Sequence, residues 1–160
     1  MLTIDPMALA RRQIALDRTR TQRFAHTAER KVVRMRASPV AFLRGAAPLF
    51  YELMQAKPEL AGGPPDEGWL VGDLHIENFG VFAAEAHGAE KAAAVFDVND
   101  FDDCMIGPLR LDILRLATSL ILAGRELAAT GGQALEMVAD LVDAWSVHAG
   151  LSGSILMMSP

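Results

Sequence analysis

The chain has one cysteine, Cys104, so no disulfide can form within it, and that usage fits a reducing compartment. It lacks any run of eighteen apolar residues, so no membrane-spanning helix is expected. The opening stretch MLTIDPMALARRQ has no apolar segment behind a basic one, so no secretory leader is expected either. The protein is therefore read as soluble and cytoplasmic, with no membrane partner. Aromatics are scarce among the N-terminal bases, where only Phe24 interleaves. Base stacking would need more of them, so nucleic acid is not expected as a partner. The sequence contains no internal repeat, and its one compositional bias is alanine between Ala83 and Ala94.

What remains is enough for a core. Half of the 160 residues are hydrophobic (51%), which suits one domain or part of a larger one. The net charge of −5 conceals an asymmetry. Residues 1–45 hold ten of the fifteen Lys and Arg against Asp5, Asp17 and Glu29, a local +7. The rest holds five bases and seventeen acids, a local −12. The basic arm, with Arg11, Arg12, Arg18, Arg20, Arg23, Arg30 and Arg34, reads as the solvated face of a helix.

Asp5-Pro6 is a helix start, an N-cap followed by proline at the first helical position, and the helix is expected to run to about Arg36. Ser38-Pro39 repeats that signal, and Phe42, Ala46, Leu49, Phe50 and Leu53 follow at helical spacing as far as Lys57-Pro58. Gly62-Gly63-Pro64-Pro65-Asp66 is a loop. Three short strands are then expected, at Trp69–Val71, Phe79–Phe82 and Ala92–Val98, with Ala86-His87-Gly88 turning between the last two. Helical periodicity returns from Pro108 to Ala129. Gly131-Gly132 breaks it, and a further amphipathic helix spans Gln133–His148. The fold class is α+β, a small three-strand patch between groups of helices. The expected division is a basic helix over 1–37, a body over 38–150 and a tail over 151–160.

Two phrases concentrate the chemistry. Gly72-Asp73-Leu74-His75-Ile76-Glu77-Asn78 puts an Asp and an Asn five residues apart on a tight loop. Phe96-Asp97-Val98-Asn99-Asp100-Phe101-Asp102-Asp103 brings four acids into seven residues. Phosphoryl transfer needs few protein groups: a carboxylate to orient the attacking hydroxyl, and an amide and a carboxylate to hold magnesium against phosphates. These phrases can supply that set. Turn capping by Asp73 and Asn78, and simple exposure of the four acids, stay open beside it. An EF-hand fails, because its sixth and twelfth positions from Asp97 hold Asp102 and Pro108. An Asp-x-Asp metal site at Asp100–Asp102 leaves the first phrase unexplained, and His75, His87 and Cys104 lack zinc-ligand spacing. Cys104 is expected to be buried, and His26, His87 and His148 to lie on the surface.

The phrase GDLHIEN resembles the catalytic loop of aminoglycoside and choline phosphotransferases, which run Gly-Asp-x-x-x-x-Asn. Ser38-Pro39 with Phe42-Leu43-Arg44-Gly45, GDLHIENFG, FDVNDFDD and Gly107-Pro108 through Arg115-Leu116-Ala117 more closely resemble the bacterial domain of unknown function 2252. The resemblance implies a kinase-like fold and an ATP- and Mg²⁺-dependent phosphotransferase acting on a hydroxyl-bearing substrate. It implies Asp73 as base with His75 in support. Asn78 and Asp100 become metal ligands, with Asp102 as an additional one. Asp112, twelve residues after Asp100, becomes the brace of the loop. The sequence departs from that pattern in having helices where a kinase carries its ATP-covering lobe, and no glycine-rich phosphate loop. Arg44 then stands as the phosphate-binding candidate, ahead of Lys31. The domain is expected to continue beyond Pro160, and the chain either to self-associate through exposed helices or to be only loosely folded. The alternative is an inactive nucleotide-binding or protein-interaction module.

Overall fold

The computed structural model describes residues 5–22, 24–63, 66–83 and 94–156, with residues 25 and 149–156 by backbone alone. The chain forms two compact units, Met1–Pro65 and Asp66–Pro160. Together they make a mixed α+β structure, with six α-helices and two small antiparallel sheets among the described residues.

The first unit is helical. Helix α1 spans Pro6–Arg20, and Asp5 caps it, its Oδ1 accepting from Met7 N at 2.9 Å. The helix ends at Thr21, well short of Arg36, and α2 resumes at Ala25–Met35. No glycine or proline marks that break; burial explains it. Met35, Ala46 and Leu49 form one core cluster, against which Leu9 and Leu16 pack. In an unbroken helix, Leu16 and Met35 would stand roughly 28 Å apart at 1.5 Å per residue. Only a reversal brings them together. The reversal also pairs Lys31 Nζ of α2 with Asp17 Oδ1 of α1 at 2.6 Å, and Gln13 Nε2 donates to the same oxygen at 3.0 Å.

The second expected helix is also divided, into α3, Pro39–Gly45, and α4, Ala47–Ala56. Ser38 caps α3, its Oγ accepting from Ala41 N at 3.1 Å. Pro48 accounts for the break, because a proline inside a helix removes one hydrogen bond and collides with the preceding turn. Gly45 sits at the bend, where a Cβ would lie 2.5 Å from Met35 Cγ. A short 3-10 turn, Pro58–Ala61, follows.

The second unit carries the strands. Strand β1, Glu67–Leu70, pairs with β4, Met105–Pro108, while β2, Phe79–Ala83, pairs with β3, Ala94–Val98. The expected three-strand patch is thus two separate ribbons. The missed strand was β4, whose Gly-Pro ending reads locally as a turn. Leu70 is the buried anchor of the first ribbon, and Phe79 stacks on Phe96 in the second, with centroids 5.7 Å apart. The expected turn at Ala86–Gly88, like His87 and Ala92, lies outside the described residues.

Helix α5, Arg110–Glu126, packs on α6, Gly131–Leu156, and Gly124 of α5 lies against the buried Ala134 of α6. Gly131-Gly132 does not break the helix; it begins α6. Thr130 and Gln133 form a reciprocal cap, since Gln133 Oε1 accepts from Thr130 N at 2.9 Å and Thr130 Oγ1 accepts from Gln133 N at 3.3 Å. The interruption falls just before, where Ala128 adopts φ 60°. No described helix is long and apolar enough to cross a membrane.

Candidate functional site

The polar motifs meet at one end of β1, and α5 holds them there. Asp112, one turn into α5, accepts from Val71 N at 2.6 Å through Oδ2 and from Gly72 N at 3.3 Å through Oδ1. Burial pushes the Asp112 carboxyl above its ordinary range, opposed by those two N–H groups and by Arg115. One turn further on, Arg115 is completely buried, and it donates from Nε to Asp73 Oδ1 at 3.0 Å and from Nη2 to the same oxygen. Asp73 keeps its side chain 25% exposed. Another turn on, Ser119 Oγ accepts from Ile76 N at 3.1 Å and donates to Leu116 O at 2.7 Å. Three buried polar side chains on one stripe of a mostly apolar helix therefore clamp the loop from Val71 to Ile76.

Asp112 is the brace expected from the sequence. Arg115 and Ser119 were not singled out for a role. Their signal was present: polar residues at i, i+3 and i+7 share a helix face. Arg115 carries a full charge out of solvent contact, which the pairing with Asp73 makes tolerable.

His75 and Asn78 belong to the turn itself. Asn78 Oδ1 accepts from His75 N at 2.7 Å, and Asn78 N donates to His75 O at 3.0 Å across the 3-10 turn Ile76–Asn78. Both side chains are buried. The expected acceptor of a metal, the Asn78 amide oxygen, thus already holds one N–H, and an amide oxygen has a second lone pair for another partner.

The acidic phrase reaches this loop through backbone contacts. Asn99 N donates to Asn78 O at 2.9 Å, continuing the ladder in which Val98 faces Phe79 and Asp97 faces Gly80. Asp97 lies on β3, with Oδ1 accepting from Val98 N at 2.7 Å. Asp100 and Asp102 come just beyond it and are exposed, and Asp100 Oδ1 accepts from Asp102 N at 3.4 Å. Gly72, at φ +93°, runs against the carbonyl of Asp103. Asp73, Asn78 and the Asp100–Asp103 turn are therefore neighbours along the backbone. Among the described residues no three His, Cys, Asp or Glu side chains gather as a metal site. Oxygen donors from two carboxylates and an amide still suit Mg²⁺, which takes one or two carboxylates and keeps water or phosphate for the rest.

The other candidates lie apart from this loop in sequence. Arg44 is an exposed residue of α3 in the first unit. His26 and His148 are exposed, as expected. Cys104 was expected to be buried and is exposed, because it follows the solvent-facing turn at Asp102–Asp103.

A family model described as "Uncharacterized protein conserved in bacteria (DUF2252)" matches residues 23–149. No curated protein and no solved structure matches the chain.

Proposed function

The chain belongs to the DUF2252 family, and from that premise we propose that it is a kinase-like, ATP- and Mg²⁺-dependent phosphotransferase acting on a hydroxyl of a small molecule or protein. The observation that carries this reading is the clamp on Asp73. A carboxylate that orients an attacking hydroxyl must be ionised, fixed and still within reach of solvent. Arg115 supplies the charge and the orientation through two donors on one oxygen, and the side chain stays a quarter exposed.

Asp112 and Ser119 fix the backbone on either side, and Arg115 holds the carboxylate itself in one rotamer. Asp100 and Asp102, with the second lone pair of Asn78, would hold Mg²⁺. The ion, when bound, neutralises charge on the phosphates of ATP. His75 supports the loop from within it, its backbone N–H and carbonyl both pairing with Asn78. Arg44 is the candidate for phosphate binding on the first unit.

A second reading has one observation in its favour. The Asn78 oxygen is engaged within its own turn, as it would be if the loop were purely structural and the chain a nucleotide-binding or interaction module. Titration with Mg²⁺ and ATP, read by calorimetry and by release of γ-phosphate, separates the two. The phosphotransferase reading expects Asp100→Ala to abolish binding, and Asp73→Asn to keep binding while removing turnover. Binding without turnover in the unaltered chain selects the module, and equal loss of binding in both variants makes the loop structural.

A further inference from the structure

The charge asymmetry follows the two units. Met1–Pro65 holds eleven Lys and Arg against five Asp and Glu, a net +6, while Asp66–Pro160 holds four against fifteen, a net −11. On α6 the imbalance is complete. Glu136, Asp140 and Asp143 recur at i, i+4 and i+7 on one exposed stripe, and residues 126–160 contain no Lys or Arg. Like charges at this spacing repel one another, and nothing on the same helix offsets them. Beside the acidic stripe runs an apolar one, in which Leu135 and Val142 are both exposed. The opposite edge of the helix, with Ala134, Val138, Leu141 and Trp145, is the buried or half-buried side.

Helix α2 carries the complement. Its inner side buries Met35, and its outer side presents Val33, 70% exposed, with Arg30 and Arg34 one turn apart beside it. An apolar centre flanked by two bases at i and i+4 thus matches an apolar stripe flanked by acids at i and i+4. Helices pair side by side at 8–10 Å through such stripes, with charged edges setting partner and orientation.

We propose that α6 is an interface with a second copy of this chain, whose α2 lays Val33 against Leu135 and Val142 and sets Arg30 and Arg34 against Glu136, Asp140 and Asp143. Opposite charge steers the encounter and selects the register, and the apolar centre holds it. This inference is independent of the reaction assigned to the Asp73 loop.

The test is the oligomeric state of the full chain by sedimentation velocity, with folding of each variant checked by circular dichroism. The unaltered chain is expected to form dimers or larger assemblies. They should weaken as salt rises from about 0.1 M to about 1 M, which shortens the Debye length from about 10 Å to about 3 Å. Arg30→Glu with Arg34→Glu, and separately Asp140→Arg with Asp143→Arg, should each weaken association by at least about tenfold. Mixing the two variants restores complementary faces and should restore association. A chain that stays monomeric overturns the proposal. So does an assembly indifferent to salt and to both variants, which would place the contact elsewhere. Variants that fail to recombine on mixing overturn it too, because docking of α2 on the α6 of its own chain cannot be rescued in trans.

Discussion

Gly72 passes so close to Asp103 that a Cβ on it would stand 2.0 Å from the Asp103 carbonyl oxygen. The loop bearing Asp73 and the turn bearing Asp100 to Asp103 are thus in backbone contact at a point where only glycine fits. Its φ of +93° excludes other residues independently.

Gly72→Ala is therefore expected to destabilise the chain by more than the roughly 1–3 kcal/mol of backbone strain alone, since the carbonyl cannot yield without moving the acidic turn. Urea denaturation measures this. A loss below about 1 kcal/mol would mean that the two loops do not touch.

The Asp73–Arg115 pair should behave as a coupled unit. Arg115→Met leaves Asp73 without its cation, and Asp73→Asn leaves a buried guanidinium without its anion. Because Asp73 is partly exposed, the single losses should fall below the 3–5 kcal/mol of a fully buried pair broken on one side. The double variant should lose less than their sum, with a coupling of about 1–3 kcal/mol in a double-mutant cycle. Additive losses would contradict the pairing.

Ser119→Ala removes the partner of Ile76 N and fits the space already present. The expected loss is about 1–3 kcal/mol, the cost of leaving a desolvated donor without its partner. Hydrogen exchange at Ile76 gives the sharper reading. Its amide should exchange faster in the variant, while amides in the middle of α5 keep their protection.

Asp112 gives a pH signature. Its folded carboxyl titrates above the ordinary value, chiefly through burial. A raised value means that the folded chain binds the proton more tightly than the unfolded one. The associated stability is complete below the ordinary carboxylate value of about 3.9 and declines as pH rises through the folded value. Asp112→Asn has no such titration. The stability of the native chain relative to this variant should therefore fall across that window in thermal melts taken along a pH series. A difference that grew with pH would reverse the assignment.

Much of the fold could be read locally. Asp5 and Ser38 do cap the helices they were expected to start, each with a proline immediately after, because cap chemistry involves only residues two or three apart. The positions of β1, β2 and β3 follow from short apolar runs bounded by turns. Pro48 and the Thr130–Gln133 cap are equally local signals, one a missing N–H and the other a reciprocal hydrogen bond.

The sequence by itself determined where α1 and α3 begin, roughly where β1, β2 and β3 lie, and which phrases carry the acids and the amide, because these depend on neighbours along the chain. Only the tertiary structure decided that α1 turns back at Thr21, since the cause is Met35 reaching a core that holds Leu16. It also decided that β1 pairs with β4, more than thirty residues away, instead of joining β2 and β3 in one patch. And it decided which residue faces Asp73. Arg115 stands forty-two positions downstream, and nothing local ties a guanidinium on α5 to a carboxylate in the loop. That pairing arises because α5 packs along the loop and because a charge taken out of water needs the nearest opposite one.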